Sequence, residues 1–223
     1  VVYLYAISPP LDAPVAGEGL QGQTLRRVTS GGLTAVVSDH ERDLPAASEA
    51  QLWEHERVVE ALMAERTVLP MRFGSVLPDD VAVRALLRRR RDELEGALGR
   101  VAGAIELGVR VAWNDAGAAS DPPAHTTGSG TAYLMGRVDC RRRARDLADR
   151  VDRSLADLAR ARRTRLLARP DLPFSGAYLV DRERQDAFRE RVSALGAEIA
   201  EAEIVCTGPW PPYGFAARES AGT

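Results

Sequence analysis

The sequence predicts an α+β fold in two modules followed by a short tail. Three observations carry that prediction. Period-two alternation marks strands at Val2 to Ile7 and Ala104 to Trp113, helical periodicity marks the stretches between and after them, and Thr207 to Phe215 turns to Pro and aromatic residues. The implied boundaries are 1–103, 104–206 and 207–223.

Taken in order, Val2 to Ile7 alternates as a strand and Pro9-Pro10 ends it, because proline has no N–H to donate. Leu11 to Gly22 reads as a loop rich in Pro, Gly and Ala. Leu25 to Val28 and Leu33 to Val37 flank Ser30-Gly31-Gly32, which predicts a hairpin on glycines able to take positive φ. With the first strand this makes a small three-stranded antiparallel sheet. Ser48 and Gln51 have capping-box spacing, and Leu52, Val59, Leu62 and Met63 recur at helical intervals, so a helix is expected over Glu49 to Glu65. Within it His55-Glu56 opens the pattern H-E-x-x-H, but Val59 stands where the second histidine would be. Ligand count removes zinc-protease chemistry and leaves His55 as a hydrogen-bonded rim residue.

Thr67 to Ser75, T-V-L-P-M-R-F-G-S, is a structural motif built on Pro70, Arg72, Phe73 and Gly74. Pro70 predicts an edge strand or a bulge that re-aims Met71 and Phe73, and Arg72, if buried, needs an acceptor such as the Glu56 carboxylate. Asp79 or Asp80 caps one helix with apolar positions Val83, Leu86, Leu87, Leu94, Leu98 and Val101, ended by Gly99 and Gly103. Ala104 to Trp113 then alternates with Ile105, Leu107, Val109 and Val111 on one face.

Asn114 to Gly130, His125 included, has no periodicity and predicts a loop. Thr131 to Met135 fits a short extended piece or a first helical turn, and Arg142 to about Ala168 a long amphipathic helix stopped by Pro170 and Pro173. Phe174 to Asp181 reads as a strand, Gln185 to Leu195 as a short helix and Glu198 to Cys206 as the last strand. The order β, long α, β, α, β fits a truncated ferredoxin-like sandwich with its helices on one face.

In the tail, Pro209 should stop sheet pairing, and Pro209, Pro211 and Pro212 stiffen the segment into a short polyproline II rod. A three-residue repeat places Trp210 and Tyr213 on one side, either as a docking surface for a partner or as a plug on their own domain. Both readings stand on the residues alone.

The 30 basic residues, all arginine, face 32 acidic ones for a net charge of -2, so no global field attracts nucleic acid. Arginine runs at Arg88 to Arg91 and Arg141 to Arg145 interleave with carboxylates and read as solvated faces. No apolar run approaches the length of about 18 residues that crosses a lipid membrane, and V-V-Y-L-Y-A-I lacks a basic leader, so no targeting segment is expected. Cys140 and Cys206 lack C-x-x-C spacing, which fits a reduced, cytoplasmic setting. With no phosphate loop, nucleophile elbow or Cys/His ligand set, the expectation is no catalytic residue, metal or cofactor.

In matching order along nearly the whole chain, T-V-L-P-M-R-F-G-S at Thr67 to Ser75, E-L-G-V-R-V at Glu106 to Val111, T-A-Y-L at Thr131 to Leu134, A-Y-L-V at Ala177 to Val180 and T-G-P-W-P-P-Y-G-F at Thr207 to Phe215 resemble the gas vesicle protein F/L family. The resemblance implies two α+β domains, the second a modified ferredoxin-like one, and an extended C-terminal tail. It also implies a non-enzymatic, cytoplasmic part in building gas vesicles, as a minor component or assembly factor whose partners are the major shell protein and other vesicle proteins. Trp210, Tyr213 and Phe215 are the candidate partner-binding residues, with Pro209, Pro211 and Pro212 as their scaffold. A small-molecule enzyme and a proline-rich-ligand protein are the alternatives.

Overall fold

The structure, a computed structural model, describes residues 1–11, 14–41, 48–114, 130–166 and 174–216. The loop expected at Asn114 to Gly130 falls outside these at 115–129, as do Pro170 and Pro173. Two compact units are formed, one by Val1–Ile105 with the described residues from Trp210 onward, the other by Glu106–Pro209.

The first unit is built on β1 (Val2–Ser8), every residue of which is buried. On one side β1 pairs antiparallel with β3 (Leu33–Asp39), which pairs in turn with β2 (Arg26–Ser30). Gly31 and Gly32 join β2 to β3 at φ of 61° and 78°, the left-handed region the hairpin requires. The sheet is larger than expected, because the Pro70 motif adds β4 (Leu69–Pro70) and β5 (Val76–Leu77) along the other side of β1. Pro70 lies in a two-residue edge strand, where a missing N–H costs least. Between Leu4 and Ala6 the β1–β3 register shifts, and the extra residue is Tyr5.

Helix α1 (Glu49–Glu65) packs on β1 through Val58, Val59, Leu62 and Met63, and its Ser48–Gln51 capping box is complete at 3.2 and 3.3 Å. The single helix expected after Asp79 is two, α2 (Asp80–Arg89) and α3 (Arg91–Val101). Arg90 leaves the helical region at φ -106°, ψ 18°, while the i to i−4 bonds on either side of it survive at 3.0 and 2.9 Å. The ladder is therefore kinked and not cut, and Arg90 turns its guanidinium onto Glu93 at 2.6 Å.

The second unit runs β6 (Ala104–Trp113), α4 (Gly130–Leu155), β7 (Ala161–Leu166), β8 (Phe174–Asp181), α5 (Gln185–Glu198) and β9 (Ala202–Trp210), with sheet order β7-β8-β6-β9. Ile105, Leu107, Val109 and Val111 of β6 are fully buried, as their alternation required. Helices α4 and α5 touch each other and both touch β8, so they form one layer. Two corrections stand here. Thr131 to Met135 lies in the first turns of α4, and the long helix ends at Leu155, not near Ala168. Its expected second half is the edge strand β7, antiparallel to β8.

Candidate functional site

Both specific motifs meet on one histidine of the first unit. His55 is 0% exposed, so the rim position expected from sequence is corrected to the core. The cause is long-range: the Tyr5 ring stacks on it at 5.6 Å between centroids, and Tyr3 and Phe73 pack edge-on at 5.6 and 5.9 Å. Phe73 is thus the residue the Pro70 motif re-aims inward. Gly74, at φ 82°, lets its N–H donate to the Tyr3 hydroxyl at 3.0 Å. Arg72 is exposed, contrary to the buried alternative, and its carbonyl closes the turn by accepting from the Ser75 N–H at 3.1 Å.

The hydrogen bonds assign the proton on His55. Nε2 lies 2.9 Å from the Met71 carbonyl oxygen, which only accepts, so Nε2 carries the hydrogen and Nδ1 accepts from the Tyr3 hydroxyl at 2.9 Å. The Tyr213 hydroxyl sits 3.2 Å from the same Nε2 and donates to Glu56 Oε1 at 2.9 Å. Burial pushes the His55 pKa down and the Glu56 pKa up, and raises the Tyr3 phenol to about 12. Tyr213 is raised as well, by burial first and by the Glu56 carboxylate next. Glu56 serves Tyr213, not Arg72.

The C-terminal motif is not a rod. β9 continues through Pro209 to Trp210, with a cis Gly208–Pro209 bond and Gly208 at φ 102°. An edge strand tolerates a residue without N–H, which the expectation of a stop at Pro209 overlooked. The Arg189 guanidinium holds the Gly208 carbonyl. Pro211 and Pro212 are buried, and the Pro212 carbonyl accepts from Phe215 and Ala216 at 3.1 and 3.0 Å to make the short helix α6 (Tyr213–Ala216). α6 packs on α3 and β4, and Phe215 is buried there. Tyr213 and Phe215 therefore face into the first unit, whereas Trp210 is 40% exposed.

Among the described residues no group of three or more His, Cys, Asp or Glu could hold a metal, and no helix is long and apolar enough to cross a membrane. A cavity of about 500 Å³ lies between the 14–25 segment and α1, bordered by Glu54, Arg57, Val58 and Leu62. Glu54 there accepts from the Gln21 N–H at 3.0 Å. Around His55 the chemistry is that of packed aromatic rings and hydrogen bonds holding segments together. What it defines is a mixed α/β protein whose C-terminal motif is built into the fold of its N-terminal one.

A family model described as gas vesicle synthesis protein GvpL/GvpF matches residues 1–217, and the chain belongs to that family. It is 35% identical to gas vesicle protein L of Streptomyces sp. (strain CB03234) and 29% identical to gas vesicle protein F1 of Halobacterium salinarum, each over 96% of this chain and 92% of the relative. The relatives carry the names of gas vesicle proteins and not of enzymes. Its fold is that of the gas vesicle protein GvpF of Anabaena sp. PCC7120, with a TM-score of 0.83 at 23% identity over 98% of both chains. GvpF of Microcystis aeruginosa gives 0.82 at 21% identity, over 97% of this chain and 99% of that one.

Proposed function

We propose that the protein is a non-enzymatic minor component or assembly factor of gas vesicles that binds the major shell protein during vesicle formation, in the cytoplasm and at the vesicle. The observation that carries this is the family match across residues 1–217. A shell subunit with one water-repelling face has a large apolar patch before assembly and needs it covered. We read the two units as two domains, the second a modified ferredoxin-like one, a reading supported by its β-α-β-β-α-β element order and strand order β7-β8-β6-β9.

Within the candidate set the division of labour follows burial. Trp210 presents its ring to the partner, while Tyr213, Phe215, Pro211 and Pro212 hold the segment against the first unit. An enzyme reading gains nothing from His55, whose two ring nitrogens are both engaged in the core. A proline-rich ligand reading needs a free P-W-P-P, and two of its prolines are buried. The test is co-purification with the major shell protein. Trp210→Ala should abolish capture with unchanged thermal unfolding, and Tyr213→Phe should keep capture with lowered stability. Full capture by Trp210→Ala removes the ring from the interface.

A further inference from the structure

The kink at Arg90 does more than bend a helix. On a straight helix four consecutive arginines spread over a full turn, but here Arg88 to Arg91 and Arg100 border one open hollow of about 610 Å³ with only Asp92 and Glu93 as acids. Glu93 is taken by Arg90 at 2.6 and 2.8 Å and Glu95, outside the hollow, by Arg91 at 2.8 Å, which leaves Asp92 as the one other acid at its border against Arg88, Arg89 and Arg100. Among the described residues Arg88 reaches only the neutral Ser30 hydroxyl, at 3.3 Å. Arg89 and Arg100 are exposed and have no acceptor among the described residues.

Gly96 leaves the hollow open. It lies in the interior of α3, where glycine weakens a helix, and only the Arg100 Nη1 tip comes within 4 Å of the place a Cβ would take, at 3.8 Å. The hairpin glycine Gly31 lies against the stems of Arg88 and Arg91, with Arg88 Cγ 3.9 Å and Arg91 Cδ 3.7 Å from its Cβ position. The arginine stems are thus propped from below while the guanidinium groups face solvent.

We propose that this hollow docks an acidic segment of a partner polypeptide. Planar guanidinium forks match carboxylates in pairs, and Arg88 to Arg100 spans roughly 18 Å of helix, room for several carboxylates in a row. The chain's net charge of -2 supplies no wider field for a nucleic acid, so the recognition is local. This goes beyond the shell-protein reading, which rests on an apolar contact at Trp210, and either holds without the other.

The experiment uses the full chain and fluorescein-labelled hexaglutamate, read by anisotropy. Arg89→Glu with Arg100→Glu should weaken binding about tenfold or more, whereas Arg141→Glu with Arg145→Glu in the other arginine run should change it by less than about twofold. Should the reversed pair fail to fold by circular dichroism, Arg89→Gln with Arg100→Gln is read instead and a several-fold loss is expected. Equal losses from the two arginine runs, tighter binding of inorganic phosphate or a short oligonucleotide than of hexaglutamate, or no binding of hexaglutamate overturns the proposal.

Discussion

His55 is held by both ring nitrogens, so its replacement strands specific partners. His55→Phe keeps a flat ring for Tyr5 to stack on but leaves the Met71 carbonyl and the Tyr3 hydroxyl without their bonds. Buried groups left unpaired cost about 1–3 kcal/mol each, so a loss of about 2–4 kcal/mol in urea unfolding is expected, with His55→Gln recovering part of it through its amide N–H. The pH dependence has a definite sign. Burial holds the folded pKa of His55 below 6.5, so the unfolded state binds the extra proton and stability falls as pH drops from about 6.5 through the depressed value. Glu56 acts oppositely, since burial raises its pKa above 4.5 and it adds stability as pH falls from that raised value toward 4.5. His40 is also depressed, by burial first. His55→Gln should therefore flatten the dependence of the urea midpoint on pH below 6.5, with the His40 share remaining; an unchanged slope places the sensitivity elsewhere.

At the scale of the element, what the sequence showed plainly was whatever a local period could carry. β6 and β8 follow their predicted bounds because one face of each is dry, and α1 does because its cap and stripe are both local. β7 was illegible: A-R-R-T-R-L is almost wholly exposed, so nothing alternates, and Ala, Arg and Leu continue the helical propensity of α4. His55 was equally hidden, because its burial comes from Tyr3, 52 residues away, and Tyr213, 158 residues away. The β2–β3 hairpin was read for the right reason and tests it. Gly31→Asn should be nearly neutral, while Gly32→Val, forcing a branched side chain to φ 78°, should cost about 1–2 kcal/mol in thermal unfolding.

At the scale of the molecule, the residues most distant in sequence share one core. The chain begins the first unit at β1, leaves it after β6 begins, and returns at Trp210 to complete it with α6. A construction of that kind makes the C-terminal motif serve stability as well as any partner, and the two roles separate experimentally. Removing residues from Trp210 onward takes away the O–H donor to Glu56, the buried ring of Phe215 and the cover of α6 over α3 and β4. Amide exchange in α1 and at Met71 should then speed up by more than about tenfold, matching a loss of about 1.4 kcal/mol or more, while amides of β8 keep their protection. Trp210→Ala in the intact chain should leave both sets unchanged, because its ring is exposed and the segment below it remains docked. If the truncated chain instead protects α1 as well as the intact one does, the motif is not part of that core, and the loss of shell-protein capture on truncation would then report binding alone.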